Sequence, residues 1–322
     1  MPQPEPSTAP RPPRVSVIVP TLNRRADLLD FCGSLLAQTV RPHELIVVDA
    51  GQVPDMEAAL QAALAGSGVA LVYRKSRAGT SLQRNIALEL VSGEFVLLCD
   101  DDLLLEPPYI ERSLEAMITP LQPPVGCVLG TFSSPGRPRG WRQRYFKAFR
   151  MTHAAEGDKP HQTRIGTVRW LVAPSKVVQI PVASGGRTLY RAACFDGERF
   201  DEFLPGYTLN EDVELSYRIA KRWSIVQTPH ARCFHKRSGE GRVDYGDRVS
   251  RLIYSQFYFF GKHAKKGPIE LTEFVWNNVG TAIFYTGFGL AKGKPSEAKA
   301  VLRGIAKGYG RCLRQLRGLE QR

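Results

Sequence analysis

Short, strongly apolar segments alternate with amphipathic segments over the first 130 residues or so of the chain. Five of the apolar segments are rich in Val, Ile and Leu, which is typical of β-strands buried on both faces. The segments between them carry apolar residues at helical spacing. We therefore predict strands at 15–20, 45–49, 69–74, 95–99 and 125–131, and helices at 24–38, 56–65, 81–91 and 109–118.

Strands that alternate with helices predict an α/β fold with a doubly wound, mostly parallel sheet. Ligands bind to such sheets beyond the carboxyl ends of the strands. Three polar segments, at 21–24, 49–51 and 100–102, follow predicted strands and would lie at this edge. We expect them to converge on one crevice.

Three adjacent carboxylates, Asp100, Asp101 and Asp102, follow the strand at 95–99. Bringing them together costs charge repulsion unless a cation or cationic group lies among them. A hard divalent metal that also bridges a diphosphate would relieve this repulsion. The alternative is a solvated acidic cap that binds nothing.

The alternating pattern breaks after residue 132. Ser, Pro and Gly at 133–139, followed by a basic and aromatic stretch to residue 161, predict a long, mobile loop. Order is expected to resume around 177–190, and a helix is expected to begin at Glu211 and Asp212.

With 322 residues, of which 43% are hydrophobic, the chain can bury the core of one large or two fused domains. The six cysteines stand singly in mostly apolar surroundings, which predicts reduced core residues in a cytoplasmic protein. Residues 1–13 are rich in Pro and lack an apolar core segment, so we expect a disordered leader rather than a signal peptide.

The net charge of +13 is concentrated at the C-terminal end. Residues 236–322 hold 17 Lys and Arg against 7 Asp and Glu, which accounts for ten of the thirteen excess charges. Such a region indicates an anionic partner, either nucleic acid or a membrane surface. Nucleic acid is disfavoured because the basic residues are not interleaved with base-stacking aromatic residues and no known module is present.

Several short motifs occur in a characteristic order: VIVPTLNR at 17–24, VVDAG at 47–51, RN at 84–85, DDD at 100–102, SGG at 184–186, FDEF at 200–203, ED at 211–212 and a histidine at 235. The ordered set resembles the family 2 glycosyltransferases of the GT-A fold, inverting enzymes that take a sugar from a nucleotide diphosphate. The resemblance covers roughly residues 15–235. Ala50 departs from the Asp-Gly-Ser that is frequent in the family.

The resemblance implies a donor site made of Thr21, Asn23, Asp49, Arg84, Asp100, Asp101, Gly185 and Gly186. In the family, the residue that matches Asp49 holds the nucleobase and the one that matches Asp100 meets the ribose. Other roles remain open: Thr21 and Asn23 as helix caps, Asp49 as a plain strand-end carboxylate, Arg84 as a solvated arginine, and the two glycines as a tight turn.

The resemblance also implies a divalent metal, Mn²⁺ or Mg²⁺, bound by Asp102 of the DXD motif and by His235. Alternatively, His235 has only a structural role. Asp212 is the expected catalytic base, because an inverting transfer needs one carboxylate to take the proton of the acceptor hydroxyl. Glu211 is the second choice and would otherwise position the acceptor. The alternative for this pair is charge complementation at a helix N-terminus, with Asn210 as the cap.

Residues 274–291 are uncharged, which reaches the lower length limit for a membrane span. Asn277, Asn278 and three glycines favour a buried or interfacial helix instead. Basic residues then recur at helical spacing beside an apolar stripe, which fits an anionic membrane surface. The basic positions are Lys299, Arg303, Lys307, Arg311 and Arg314.

We thus divide the chain into the leader at 1–13, a nucleotide-sugar half at 14–131, an acceptor and catalytic half at 132–238, and a basic helical C-terminal region at 239–322. The predicted function is metal-dependent, inverting transfer of a sugar to a hydroxyl of a glycan or lipid-linked acceptor. We expect it in cell-envelope polysaccharide synthesis, peripheral at the cytoplasmic face of the membrane. The alternative is a catalytically inactive GT-A-like binding or scaffold protein at the membrane.

Overall fold

The computed structural model describes residues 12–134, 140–154, 160–203, 209–236, 245–291 and 295–317. The strands are β1 (Val15–Thr21), β2 (Glu44–Asp49), β3 (Ala70–Lys75), β4 (Phe95–Cys99), β5 (Leu103–Leu105), β6 (Val125–Phe132), β7 (His153–Ala154), β8 (His161–Gln162), β9 (Val168–Trp170), β10 (Val178–Gln179), β11 (Arg187–Arg191) and β12 (Ser224–His235). The α-helices are α1 (Arg25–Leu36), α2 (Met56–Leu64), α3 (Thr80–Glu89), α4 (Tyr109–Met117), α5 (Trp141–Ala148), α6 (Glu211–Ile219), α7 (Tyr245–His263), α8 (Pro268–Ala291) and α9 (Pro295–Leu316).

The main sheet has the strand order β10-β12-β6-β11-β4-β1-β2-β3, and β5 pairs with β12. Strands β4, β1, β2 and β3 are mutually parallel, whereas β11 runs antiparallel between β4 and β6. The predicted α/β fold with a mostly parallel sheet is confirmed. Every predicted strand and helix up to β6 is present, and its ends lie within two residues of the predicted ones.

Two apolar clusters, one on each face of the main sheet, make up its core. Because successive side chains of a strand point to opposite faces, Val17 and Val19 of β1 belong to one cluster while Ile18 belongs to the other. Burial on both faces explains the continuous apolar runs in the sequence. The polar residues at the strand ends are thereby held on a rigid frame.

The prediction of a long loop over residues 133–161 is wrong for much of that segment. Helix α5 lies within it, and β7 joins β8 and β9 in a small second sheet. The aromatic residues that we assigned to a loop pack on α8: Phe146 lies 4.7 Å from Phe284, and Phe149 lies 4.6 Å from Trp276 (ring centroids). Residues 135–139 and 155–159 lie outside the described part of the chain.

The C-terminal region forms helices α7, α8 and α9, and α9 packs closely on α7. A Cβ atom on Gly304 would lie 2.0 Å from the carbonyl oxygen of Gly246, so this glycine permits the close approach. No helix in the described ranges is long and apolar enough to cross a membrane. All six cysteines are free and buried, as expected. Residues 1–11 of the predicted leader lie outside the described part of the chain.

Candidate active site

Asp49, the last residue of β2, is fully buried at the carboxyl edge of the sheet. Its Oδ1 atom accepts a hydrogen bond from the Gly51 amide at 2.6 Å, and Oδ2 accepts from the Tyr73 hydroxyl at 2.6 Å and the Lys75 ammonium at 2.8 Å. Burial alone would raise the pKa of Asp49, but the bonds from Lys75 and Tyr73 outweigh it and lower the pKa below its ordinary value. Asp49 is therefore an ionised and oriented carboxylate.

Asn23 lies beside this carboxylate, in the left-handed conformation with φ of 56°. Its side-chain oxygen accepts a hydrogen bond from the Gln52 amide at 2.8 Å. A Cβ atom on Gly51 would lie 2.6 Å from the same oxygen, so the chain after β2 needs glycine here to pass so close. The predicted Asn23 and Asp49 thus share one pocket wall.

Asp101 is buried and tied to β1. The Thr21 hydroxyl donates to its Oδ2 atom at 2.7 Å, and the Arg24 guanidinium donates to Oδ1 at 2.8 Å. Burial raises the pKa of Asp101 to about 6, and Arg24 opposes that rise. Helix α1 has no side-chain capping hydrogen bond, so Thr21 binds Asp101 and does not cap the helix.

Asp102 faces His235, the last residue of β12, with 3.1 Å between the imidazole Nε2 and carboxylate Oδ1 atoms. The ring of His235 stacks on Phe132 with centroids 5.5 Å apart, which orients the imidazole. A carboxylate oxygen from the turn between β4 and β5 and an imidazole nitrogen from the end of β12 fit a divalent cation such as Mn²⁺. No group of three or more His, Cys, Asp or Glu in the described ranges is arranged so that it could hold a metal ion by itself. The substrate would have to supply further ligands.

Asp100 is the most exposed of the three carboxylates, with 41% of its side chain accessible. It lies against Gly186, where a Cβ atom would come within 2.2 Å of its Oδ2 atom, and φ at Gly186 is +80°. The Arg84 guanidinium lies 3.2 Å from Asp100 Oδ1. Both the space for Asp100 and the turn that creates it therefore require glycine at 186.

Arg84 is 3% exposed, so it is not the solvated surface arginine considered above. Besides Asp100, it contacts Glu211, the first residue of α6, at 2.8 Å, and its guanidinium lies over the Phe200 ring at 5.2 Å. Burial and the adjacent Asp212 raise the pKa of Glu211 to about 7, and Arg84 opposes the rise.

The side chain of Asp212 accepts two backbone hydrogen bonds, from Gly185 to Oδ2 and from Val213 to Oδ1, the latter at 2.8 Å. The carboxylate therefore lies against the glycine turn that also borders Asp100 and Arg84. Asn210 is the N-cap residue of α6, as in the alternative interpretation of this pair, with φ of 71°, but its side chain makes no capping hydrogen bond.

A network of charged residues holds α6 against α7. Glu214 of α6 is buried and contacts Lys262 and His263 of α7, each at 2.8 Å. Arg218 pairs with Glu214 across one helical turn at 2.9 Å. The helix that carries Glu211 and Asp212 is thus fixed from behind by the C-terminal region.

All twelve site residues predicted from the sequence lie at this edge of the sheet. Sequence reasoning missed Arg24, Lys75 and Phe200 as members of the site. Lys75 could have been found from the sequence, because it ends the strand after β2 just as Asp49 ends β2. In the structure these two residues are register partners in parallel strands. Arg24 follows Asn23 directly, but only the fold shows which acid it contacts.

Residues 16–172 match the family model described as Glycosyl transferase family 2. The match agrees with the GT-A architecture and with the site at its carboxyl edge, and it supports a glycosyltransferase of family 2.

Three similar proteins are named as glycosyltransferases. The chain is 31% identical over 107 residues to the uncharacterised glycosyltransferase YwdF of Bacillus subtilis, and 33% identical over 108 residues to a putative teichuronic acid biosynthesis glycosyltransferase, TuaG, of the same organism. These matches cover 33% of this chain and 39% and 42% of the two relatives. An N-acetylglucosaminyltransferase of Azorhizobium caulinodans is 26% identical over 174 residues, which are 53% of this chain and 43% of that protein.

A mannosyltransferase from Pyrobaculum calidifontis, solved with GDP-Man and Mn²⁺, is similar in structure with a TM-score of 0.55. The similarity covers 97% of this chain and 85% of the other, at 19% sequence identity. It supports the GT-A fold and extends over the C-terminal region.

Proposed function

We propose that the protein is a metal-dependent, inverting glycosyltransferase that moves a sugar from a nucleotide diphosphate donor to a hydroxyl of a glycan or lipid-linked acceptor. The observation that carries the proposal is the arrangement around Arg84. This residue bridges Asp100, at the end of β4, to Glu211, which adjoins Asp212 at the start of α6. Asp100 on the donor side and the pair of Glu211 and Asp212 therefore lie on opposite sides of the buried Arg84 guanidinium.

The donor half of the site would hold the nucleotide. Asp49 is kept ionised by Lys75 and Tyr73. Its Oδ2 atom already accepts two hydrogen bonds, so Oδ1 has the remaining lone pair that could accept a bond from a nucleobase. The side chain of Asp100 is 41% exposed and can accept a hydrogen bond from a ribose hydroxyl. Thr21 and Arg24 hold Asp101 and so fix the backbone that presents the two flanking carboxylates.

Asp212 would act as the base. The attacking hydroxyl must lose its proton as its oxygen approaches the anomeric carbon, and a positioned carboxylate can accept it. The amides of Gly185 and Val213 use one lone pair on each oxygen and orient the carboxylate. Glu211 is paired with Arg84, so we assign it to positioning Arg84 and the acceptor.

Asp102 and His235 are the residues that would hold a divalent cation, Mn²⁺ or Mg²⁺. When bound there, it would neutralise the negative charge that develops on the departing diphosphate. The similar mannosyltransferase was solved with Mn²⁺ and GDP-Man, which supports a divalent cation as the cofactor.

The named relatives support a role in polysaccharide synthesis of the cell envelope, since one is named for teichuronic acid biosynthesis. We place the protein at the cytoplasmic face of the cell membrane. Residues 14–131 would then bind the nucleotide sugar and residues 132–238 the acceptor.

Thermal unfolding with UDP, GDP, CDP and dTDP, each with and without Mn²⁺, tests the proposal. We expect one nucleotide to raise the unfolding temperature, and Mn²⁺ to increase that rise, because ligands that bind only the folded state stabilise it. No shift with any nucleotide would contradict the proposal and favour the catalytically inactive scaffold protein.

A further inference from the structure

Helix α8 has its polar and apolar faces reversed with respect to water. Asn277, Asn278 and Thr281 are at most 5% exposed, whereas Val275, Val279 and Ile283 are 53%, 42% and 54% exposed. The buried polar groups are satisfied: Asn277 donates to the Arg150 carbonyl at 3.0 Å, and Thr281 donates to the Asn277 carbonyl at 2.9 Å. When the polar side chains of a helix are buried and its apolar side chains are exposed, the exposed face is expected to contact something other than water.

The apolar stripe of α8 lies between α5 and α9. On one side, Trp276 stacks on Phe149, which follows α5; on the other, the Tyr309 hydroxyl of α9 donates to Asn278 at 3.1 Å. Both neighbouring helices also expose large apolar side chains. These are Trp141 (63%) on α5, and Leu302 (53%) and Leu313 (54%) on α9. The three helices thus present a common face, here called the α5-α8-α9 face.

The charges of the α5-α8-α9 face have one sign. Among the described residues of these helices, every exposed charged side chain is Lys or Arg, including Arg144, Lys299 and Arg303. Lys265 and Lys266, just before α8, are exposed as well. The acidic side chains of α8 are at most 24% exposed and are paired: Glu270 lies 3.6 Å from Arg164, and Glu273 lies 3.8 Å from Arg150.

We propose that the α5-α8-α9 face docks on an anionic lipid bilayer, with the apolar stripe of α8 in the interface and the basic residues against the headgroups. Aliphatic side chains can insert at the boundary of the acyl chains, and the Lys and Arg residues that flank them can bind the anionic headgroups. Two copies of this face would bring like charges together, which disfavours self-association. A nucleic acid offers nothing to cover exposed Val and Ile.

Docking would also act on the catalytic half, because α7 joins the face to the site. Helix α7 packs on α9 and contacts Glu214 of α6 through Lys262 and His263. A bilayer bound at this face would therefore hold the helix that carries Asp212 at a fixed distance from the membrane surface. Such placement suits a lipid-linked acceptor, and that part of the inference rests on the proposed function.

Co-sedimentation with lipid vesicles tests docking without any donor or acceptor. We expect the protein to bind vesicles of phosphatidylcholine with about 30% phosphatidylglycerol and to bind far less to pure phosphatidylcholine. The triple variant Val275→Ser/Val279→Ser/Ile283→Ser should bind at least about tenfold more weakly, because three insertions are lost. Ile118→Ser removes an exposed apolar residue (79%) elsewhere and should bind like the wild type.

The charge contribution needs its own variants. Lys299→Gln/Arg303→Gln should weaken binding by about fivefold for each charge removed. The matched control, Arg41→Gln/Arg74→Gln, removes two exposed arginines outside the face and should have no effect. Thermal unfolding of each variant without ligand shows that it is folded.

Three results would overturn docking on lipid. The first is equal binding by the triple variant and the wild type, and the second is binding of the wild type to neither kind of vesicle. The third is a wild-type dimer in sedimentation equilibrium that the triple variant loses, which would identify a second copy of the chain as the partner. Because no donor is present, failure here is separate from failure of glycosyl transfer.

Discussion

The Arg84 guanidinium donates a hydrogen bond to Glu211 Oε1 at 2.8 Å and joins two residues that are 127 positions apart in the chain. Both side chains are buried, at 4% and 8% exposure. Removing one charge of a buried pair leaves the other uncompensated. This contact therefore links the donor-side residues on α3 and β4 to the start of α6, and the predictions below follow from the groups around it.

Replacing Asp212 with Asn should lower kcat by about 10²- to 10⁴-fold, because the acceptor hydroxyl loses its proton acceptor. Donor affinity should change little, since the amide is nearly isosteric. Initial rates and calorimetric titration of the donor measure the two effects. Asp196→Asn, which changes an exposed carboxylate outside the site, is the control. A normal rate in Asp212→Asn would show that another group is the base.

Asp102→Asn and His235→Ala should each weaken Mn²⁺ binding at least about tenfold, because each removes one of the two protein ligands. The Mn²⁺-dependent part of the stabilisation by a nucleoside diphosphate should fall with it, while the metal-independent part remains. Thermal unfolding over a range of Mn²⁺ concentrations measures both parts. Glu89→Gln, on the exposed surface of α3, should behave as the wild type. An unchanged Mn²⁺ response would remove these residues from the metal site.

Gly186→Ala and Gly197→Ala form a matched pair. Both glycines have positive φ, +80° and +77°, but a Cβ atom at 186 meets Asp100 at 2.2 Å, whereas one at 197 has nothing within 4 Å. Each should lose about 1 to 2 kcal/mol of unfolding free energy from backbone strain. Only Gly186→Ala should also weaken nucleotide binding, because Asp100 must turn away from Arg84. Equal nucleotide affinity in the two variants would contradict a donor role for Asp100.

Glu211 should make stability depend on pH. Burial and Asp212 raise its pKa to about 7 in the folded protein, above about 4.3 in the unfolded chain. The folded state then binds the proton more tightly, so the stability that Glu211 contributes is complete below about pH 4.3 and is lost as pH rises to about 7. Glu211→Gln lacks this dependence. Its free energy of unfolding should therefore increase relative to that of the wild type as pH rises from about 4.3 to about 7.

Urea denaturation of the wild type and of Glu211→Gln, at several pH values between 4 and 8, measures this difference. Glu89→Gln again serves as the control, since its side chain is exposed. Parallel stability profiles for the wild type and Glu211→Gln would show that Glu211 is ionised throughout.

The β-strands and α-helices of the donor half could be predicted because burial dictates their sequence. A strand covered on both faces must be apolar throughout, so β1, β2 and β4 stand out, and the polar residues after them must lie at the carboxyl edge. The antiparallel strand β11 could not be predicted in the same way. Its position between β4 and β6 depends on pairing between distant segments, and no local pattern encodes that pairing.

Helix α5 was missed for a related reason. Its residues are basic and aromatic, and they pack only when α8 arrives from more than 120 positions further along the chain. Without that partner, the segment has the composition of a loop.

The sequence by itself indicated the family, the α/β class and the twelve candidate residues, through the types of those residues and their order along the chain. The tertiary structure alone decided which of them touch. It paired Asp101 with Arg24, placed Asp102 against His235 and buried Arg84 between Asp100 and Glu211. It also turned the apolar side of α8 outward. Such contacts join residues far apart in sequence, and their energies depend on burial and distance, which only the folded chain sets.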